Sequence, residues 1–219
     1  MTTLTTVILT YNKAWIFDRF LRSLLAQTRA PDNVVVVDDA STDGMDRILS
    51  RVPASWEVLR QRNNSGQSAA RNAGFARVRG DCVIFLDADI EMEPDMLQTL
   101  EGALAADLEA GFAYGHYRCR GSRRGQVLAA RWDPVRLRRG NFISTMCLVR
   151  RLKLPDPPFD PELRRYEDWD LWLRLARAGT RGVLVDRTLF TAFYRPEDLS
   201  GISESPEWAN RVKAKHGLR

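Results

Sequence analysis

Residues 81–89 read DCVIFLDAD. Val83 to Leu86 form a short apolar run rich in β-formers, which suits a strand buried on both faces, as in a parallel sheet. The run stops at Asp87-Ala88-Asp89. In an extended chain residues two apart point the same way, so both carboxylates can face one point. Two converging carboxylates repel unless a cation lies between them. Mg²⁺ and Mn²⁺ favour such oxygen ligands and share them with substrate phosphates. Ligands of open α/β sheets also gather at the carboxyl ends of strands. The alternative is a polar strand exit, because Asp is common in turns. These nine residues leave both readings open.

The surrounding pattern sets the fold class. Residues 6–10 and 33–38 read as strands one and two, residues 56–59 as strand three, and residues 81–89 as strand four. Helices are expected between them over residues 13–27, up to about 49, and 68–78. Regular β-α alternation with short connections implies a parallel sheet with helices on its faces and right-handed crossovers. Further on, a helix with Pro94 at its first position would bury Met96, Leu97, Leu100, Leu104 and Leu108. Strands are expected over 112–117, 142–149, 182–186 and 189–194. Residues 154–161, with four prolines, read as an irregular loop. A helix spans 168–178, and a loosely held terminal helix spans 204–216. Residues 118–139 resist assignment.

The chain has 219 residues, enough for one large domain. Its three cysteines are far apart and form no C-x-x-C pair, which argues against a disulfide framework or zinc and for a reducing compartment. No secretory pattern and no run near the roughly 20 apolar residues of a membrane span is present, so a cytoplasmic protein is expected. The net charge is +5, but residues 118–139 hold eight arginines and one acid, leaving −2 for the rest. A local patch fits an anionic substrate or an acidic membrane surface better than general nucleic-acid binding, which is not expected.

Three strand ends then carry polar groups to one sheet edge: Thr10-Tyr11-Asn12, Asp38-Asp39 and Asp87-Ala88-Asp89. No G-x-G-x-x-G follows strand one, and no G-x-x-x-x-G-K-[ST] occurs, so neither a dinucleotide fingerprint nor a P-loop is present. Asp39 could meet a base edge and Asp87 a ribose; turn chemistry with Ser41 and Asp43 is the other reading of Asp39. Arg71 reads either as a ligand group or as a solvated helix charge. Glu167 and Asp168 open a helix, where acids are also favoured simply by the dipole.

Four stretches together resemble glycosyltransferase family 2: TVILTYNKAWIFDRFLRSLLAQT (6–28), VVVVDDASTDG (34–44), NSGQSAARNAGFARVRGDCVIFLDAD (64–89) and RRYEDWDLWLRLARAG (164–179). The resemblance implies a single GT-A domain: a Rossmann-like, mostly parallel nucleotide-binding sheet flanked by helices (1–90), a smaller mixed acceptor and catalytic half (91–195), and a tail (196–219). It implies an inverting, non-processive hexosyl transferase of the kind used in cell-envelope polysaccharide synthesis. The donor is a nucleoside-diphosphate sugar, UDP most often, and the acceptor a hydroxyl of a glycan, a lipid-linked chain or another molecule. Thr10, Tyr11 and Asn12 would line the nucleotide pocket, Asp39 would recognise the base, and Arg71 would sit near base or phosphates. Asp87 would contact ribose, and Asp89, with Asp87, would hold Mn²⁺ or Mg²⁺ on the diphosphate. Asp168 would be the base, with Glu167 as runner-up, and the helix N-terminus would keep Asp168 ionised. Trp172, and less decidedly Trp169, would pack in the core.

Two family features are missing. Tyr194-Arg195 is followed by Pro196-Glu197-Asp198 and not by histidine, and the Gln-x-x-Arg-Trp element of processive synthases is absent. Glu197 or Asp198 would be a weak substitute for the histidine. Two other functions compete: a degenerate transferase that holds nucleic acid or anionic lipid through residues 118–139, and a sugar nucleotidyltransferase. Intact Asp39, Asp87, Asp89 and Asp168 count against the first. The lack of glycine in Tyr11-Asn12-Lys13 counts against the second.

Overall fold

The structure, a computed structural model, describes residues 2–197 and 205–218. The first half alternates β1 (Leu4–Thr10), α1 (Phe17–Leu25), β2 (Asn33–Asp38), α2 (Met45–Leu49), β3 (Glu57–Arg60), α3 (Gln67–Phe75) and β4 (Cys82–Asp87). β5 (Ile90–Met92), α4 (Met96–Ala106), β6 (Ala110–Gly121), β7 (Gly125–Val127) and α5 (Pro134–Leu137) follow. β8 (Leu148–Arg150), α6 (Glu167–Arg177), β9 (Arg181–Tyr194) and α7 (Pro206–His216) complete the described chain.

The strands form one sheet in the order β3-β2-β1-β4-β8-β6-β9-β5, with β7 beside β6. β3, β2, β1 and β4 are parallel neighbours, as the alternation requires, and the other edge is mixed. The apolar run of β4 is buried throughout, because both faces of the sheet are covered. One core joins Ile8, Val36 and Ile84 to Phe17 and Phe20 of α1, Met45 of α2 and Leu100 of α4. The other joins Val7, Val37 and Phe85 to Ala70 of α3, Leu137 of α5, Trp172 of α6 and Val212 of α7. α3 lies close on β1 because Gly74 has no side chain: a Cβ there would come within 2.4 Å of Val7.

Several expected boundaries are corrected. α1 begins at Phe17, since residues 13–16 form a turn whose groups serve the strand exits. Pro94 precedes the N-cap Asp95 of α4, and that helix ends before Leu108, which is exposed. Of residues 142–149 only the last two join β8; the preceding backbone bonds locally, as Ile143 N–H does to Asn141 Oδ1. The two short strands expected near the end are one strand, β9, whose register on β6 shifts at Gly115–Tyr117 instead of breaking. The unassigned segment continues β6, returns as β7 and enters α5, where Asp133 caps with Pro134 at the start. α7 is firmly docked: Val212 is fully buried and His216 reaches Asp170 Oδ1 at 2.8 Å. Glu204, the expected start of that helix, lies outside the described residues.

Trp169 and Trp172 both pack inward, donating their indole N–H groups to Leu137 O and Ile143 O. Neither is a sugar platform in this arrangement. The three cysteines are free and buried. No helix among the described residues is long and apolar enough to cross a membrane.

Candidate active site

The parallel registers align three strand ends. Thr10 is opposite Asp38, Leu9 is opposite Asp87, and Asp39 N–H donates to Thr10 O at 2.9 Å. The two adjacent acids after β2 divide their work. Asp38 takes the turn role, accepting Ser41 N–H at 3.0 Å. Asp39 reaches across instead and accepts the Ser65 N–H and hydroxyl and the Gly66 N–H, fixing the entry to α3. Asn12, in the left-handed region at φ 53°, donates its N–H to Ser41 Oγ and accepts Thr42 N–H on its side chain. The β1 and β2 exits are therefore one rigid rim. Thr10 Oγ1 is buried there without a hydrogen-bond partner, while Tyr11 and Trp15 expose their rings. A cleft of about 530 Å³ opens beside this rim, lined by Asp38, Ser41, Thr42, Arg60 and Arg62. The two arginines had no signal in the sequence pattern, since β3 is short and exposed.

Asp89 meets Lys13 Nζ at 2.7 Å, with both side chains mostly covered. Among the described residues no three His, Cys, Asp or Glu side chains converge on a metal-sized space. The donor set at this exit is Asp89 and Asp87, hard oxygens only, with an ammonium already placed on one of them. It fits a hard divalent ion that draws its remaining ligands from a diphosphate and water, and not an ion caged by protein.

Arg71 is neither solvated nor open. Its guanidinium donates to Asp87 Oδ1 and to Glu167 Oε1, each at 2.7 Å, with 2% of its side chain exposed. The two carboxylates hold its pKa above the ordinary arginine value against the opposing effect of burial. Gln67 donates to the other Glu167 oxygen at 2.8 Å, so both Glu167 oxygens are engaged. Through Arg71 the end of β4 is tied to the start of α6.

Asp168 follows Glu167 and is partly buried. It accepts Asn141 Nδ2 at 2.9 Å and Trp169 N–H at 2.7 Å. The expectation that the helix N-terminus holds it ionised is not met. Burial, and then the neighbouring Glu167 charge, push its pKa up to about 7, outweighing Arg71, Asn141 and the Trp169 N–H. Two residues on, Asp170 goes the other way. Hydrogen bonds from His216 and Lys215 and the charges of Arg174 and Lys215 outweigh burial and hold it at about 2.

The long-range pairing of β6 with β9 adds residues that no local pattern revealed. Phe193 N–H donates to Asp89 O at 2.9 Å, which brings the end of β9 against the acidic exit. Burial raises the phenols of Tyr117 and Tyr194. Asp89 adds to the rise at Tyr194 and Asp168 to that at Tyr117. Arg195 stacks on Trp15 at 4.8 Å and Arg123 on Tyr194 at 5.9 Å. Glu197 pairs with Arg195 at 3.2 Å, while Asp198 is outside the described residues. His116 is committed to Asp186 and the Ala129 N–H.

Comparison with known proteins agrees with this geometry. Over 226 residues the chain is 25% identical to an uncharacterized glycosyltransferase, YwdF, of Bacillus subtilis, covering 97% of this chain and 83% of that one. It is 39% identical over 98 residues to an uncharacterized glycosyltransferase of Nostoc sp., covering 43% of this chain and spanning only 30% of the relative's length. Among solved structures, TarS 1–349 of S. aureus in complex with UDP-GlcNAc superposes with a TM-score of 0.79 at 23% identity, over 98% of this chain and 65% of that one. That likeness places the chain in the GT-A fold. The model of "Glycosyl transferase family 2" matches residues 5–158, and with the strand-end carboxylates above it establishes that the chain belongs to glycosyltransferase family 2.

Proposed function

We propose that this chain transfers a sugar, with inversion, from a nucleoside-diphosphate sugar to an acceptor hydroxyl, using Asp168 as the base. The observation that carries the reading is the Arg71 link. It ties Asp87, at the strand exit expected to hold the nucleotide, to Glu167, the immediate neighbour of Asp168. Glu167 is paired with the Arg71 cation, whereas Asp168 accepts from the neutral Asn141 and Trp169 N–H groups, which supports Asp168 as the proton acceptor. A base is most effective when its pKa is near the working pH, and about 7 meets that condition. Asn141 orients the carboxylate without neutralising it.

On the donor side, Thr10, Tyr11 and Asn12 with Asp39 form the nucleotide rim, beside the open cleft at Asp38, Ser41 and Thr42. UDP is the favoured nucleotide, supported by the UDP-GlcNAc in the TarS complex. Asp89 and Asp87 would hold Mn²⁺ or Mg²⁺, which when bound neutralises the charge of the departing diphosphate. The donor half is residues 1–90, the acceptor half 91–195, and 196–219 the tail. All eight arginines of residues 118–139 are exposed, and Leu128 and Val135 between them are 65% and 60% exposed. We assign this face to a lipid-linked or otherwise anionic acceptor at the cytoplasmic membrane surface.

The test is a panel of nucleotide sugars with Mn²⁺ or Mg²⁺, reading released nucleoside diphosphate. Wild type releases it, Asp89→Ala loses metal-dependent release, and Asp168→Asn binds donor without transferring. Normal transfer by Asp168→Asn would move the base role elsewhere, and full metal-dependent activity in Asp89→Ala would end the metal assignment.

A further inference from the structure

We infer that Lys13 is the resident counter-ion of Asp89 and that a divalent cation reaches Asp89 only together with a diphosphate, by displacing the Lys13 ammonium. The inference rests on the metal reading above and concerns how that site is filled. Lys13 Nζ is 2.7 Å from Asp89 Oδ2, and the two side chains are only 17% and 14% exposed. The lysine is delivered by a fixed turn. Ile16 and Phe17 N–H groups donate to Lys13 O at 3.1 and 3.0 Å, and Ala14 N–H donates to Asp43 Oδ2 at 2.8 Å. The other acid at this exit is also engaged, with Arg71 on Asp87 Oδ1. Both carboxylates that would receive a metal therefore meet a protein cation first.

Electrostatics then dictates the order of events. A bare divalent ion approaching Asp89 meets a like charge already seated on it, and the repulsion is strong where water is scarce. A diphosphate reverses this, because its oxygens offset the charges of the cation and the lysine together and supply the ligands the site lacks. Metal and nucleotide should consequently strengthen each other by one reciprocal factor. Lys13 makes the free enzyme a poor metal site and the nucleotide complex a good one.

The experiment is Mn²⁺ binding followed by the EPR signal of the free ion, with and without UDP. It is run on wild type, Lys13→Met, Lys13→Arg and Asp89→Asn, each checked by thermal unfolding. Wild type should bind Mn²⁺ weakly alone and at least roughly tenfold more tightly with UDP. Lys13→Met should bind Mn²⁺ alone roughly tenfold more tightly than wild type, narrowing the effect of UDP, while Lys13→Arg stays near wild type. Asp89→Asn should bind it in neither condition. Equal Mn²⁺ affinity of wild type and Lys13→Met without UDP overturns the inference even if wild type binds Mn²⁺ with UDP, in which case the metal reading stands. Failure of wild type to bind Mn²⁺ with UDP overturns both.

Discussion

Asp168 should make this protein less stable as pH rises from about 4 to neutrality, and replacing it with Asn should remove that dependence. Its pKa is pushed up to about 7 in the fold, against 3.8 for the unconstrained group. Below pH 4 the carboxyl is neutral in both folded and unfolded chains and contributes no pH dependence. Between these values the unfolded chain releases its proton and the folded one keeps it. The folded state then binds more protons, so stability falls with rising pH and levels off above about 7. The full shift corresponds to about 4 kcal/mol, and solvent at the partly exposed carboxylate reduces that to roughly 2. The assay is urea unfolding of wild type and Asp168→Asn at intervals from pH 4 to 8.5. Asn cannot ionise, so the stability of wild type relative to the variant should drop by about 2–4 kcal/mol over this range, a relative midpoint shift of about 1 M. The acidic limb of kcat/KM should fall near pH 7 for the same reason. A stability difference that is flat from pH 4 to 8.5, with an acidic limb below pH 5, would show an ordinary carboxylate and refute the argument that burial and Glu167 outweigh the helix N-terminus.

Arg71→Met should cost about 3–5 kcal/mol, because it leaves Asp87 and the buried Glu167 without their shared cation; thermal unfolding measures it, and a loss below 1 kcal/mol would mean that the bridge is incidental. Asp170→Asn should destabilise by about 2 kcal/mol at neutral pH, since a pKa held near 2 gives stability present above 3.8 and lost as pH falls toward 2. Unfolding at pH 2.5 and 7 checks this, and an equal penalty at both would refute it. Arg123→Ala with Arg124→Ala should weaken binding to vesicles containing anionic phospholipid by roughly thirtyfold, at about 1 kcal/mol per arginine. Cosedimentation unchanged by the double substitution would remove the membrane assignment.

The parallel half of the fold was legible because its information is local. Three apolar runs and the short segment 56–59 each fit a strand, residues 13–27 carry a one-sided apolar stripe, and the short connections imply a parallel sheet. The three polar strand exits followed from that alternation. The second half was less legible because long-range pairing shapes it. Residues 182–186 and 189–194 look like two strands, since Asp186 and Arg187 interrupt the apolar pattern, yet partnership with β6 holds them as one. Residues 142–147 have strand composition but find no strand beside them, and their backbone groups bond locally or to Trp172.

The sequence by itself determined the α/β class, the family, and which carboxylates stand at strand and helix ends. Motif spacing and apolar periodicity are properties of the chain alone, so these needed no coordinates. Only the tertiary structure decided how those groups are used. It assigned Asp38 to the turn and Asp39 to the α3 entry, buried Arg71 between Asp87 and Glu167, and placed Lys13 on Asp89. It also buried the Tyr117 and Tyr194 phenols and raised Asp168 toward neutrality. Charge pairing and desolvation depend on distances between residues far apart in the chain, and those distances exist only once the sheet has brought its edges together.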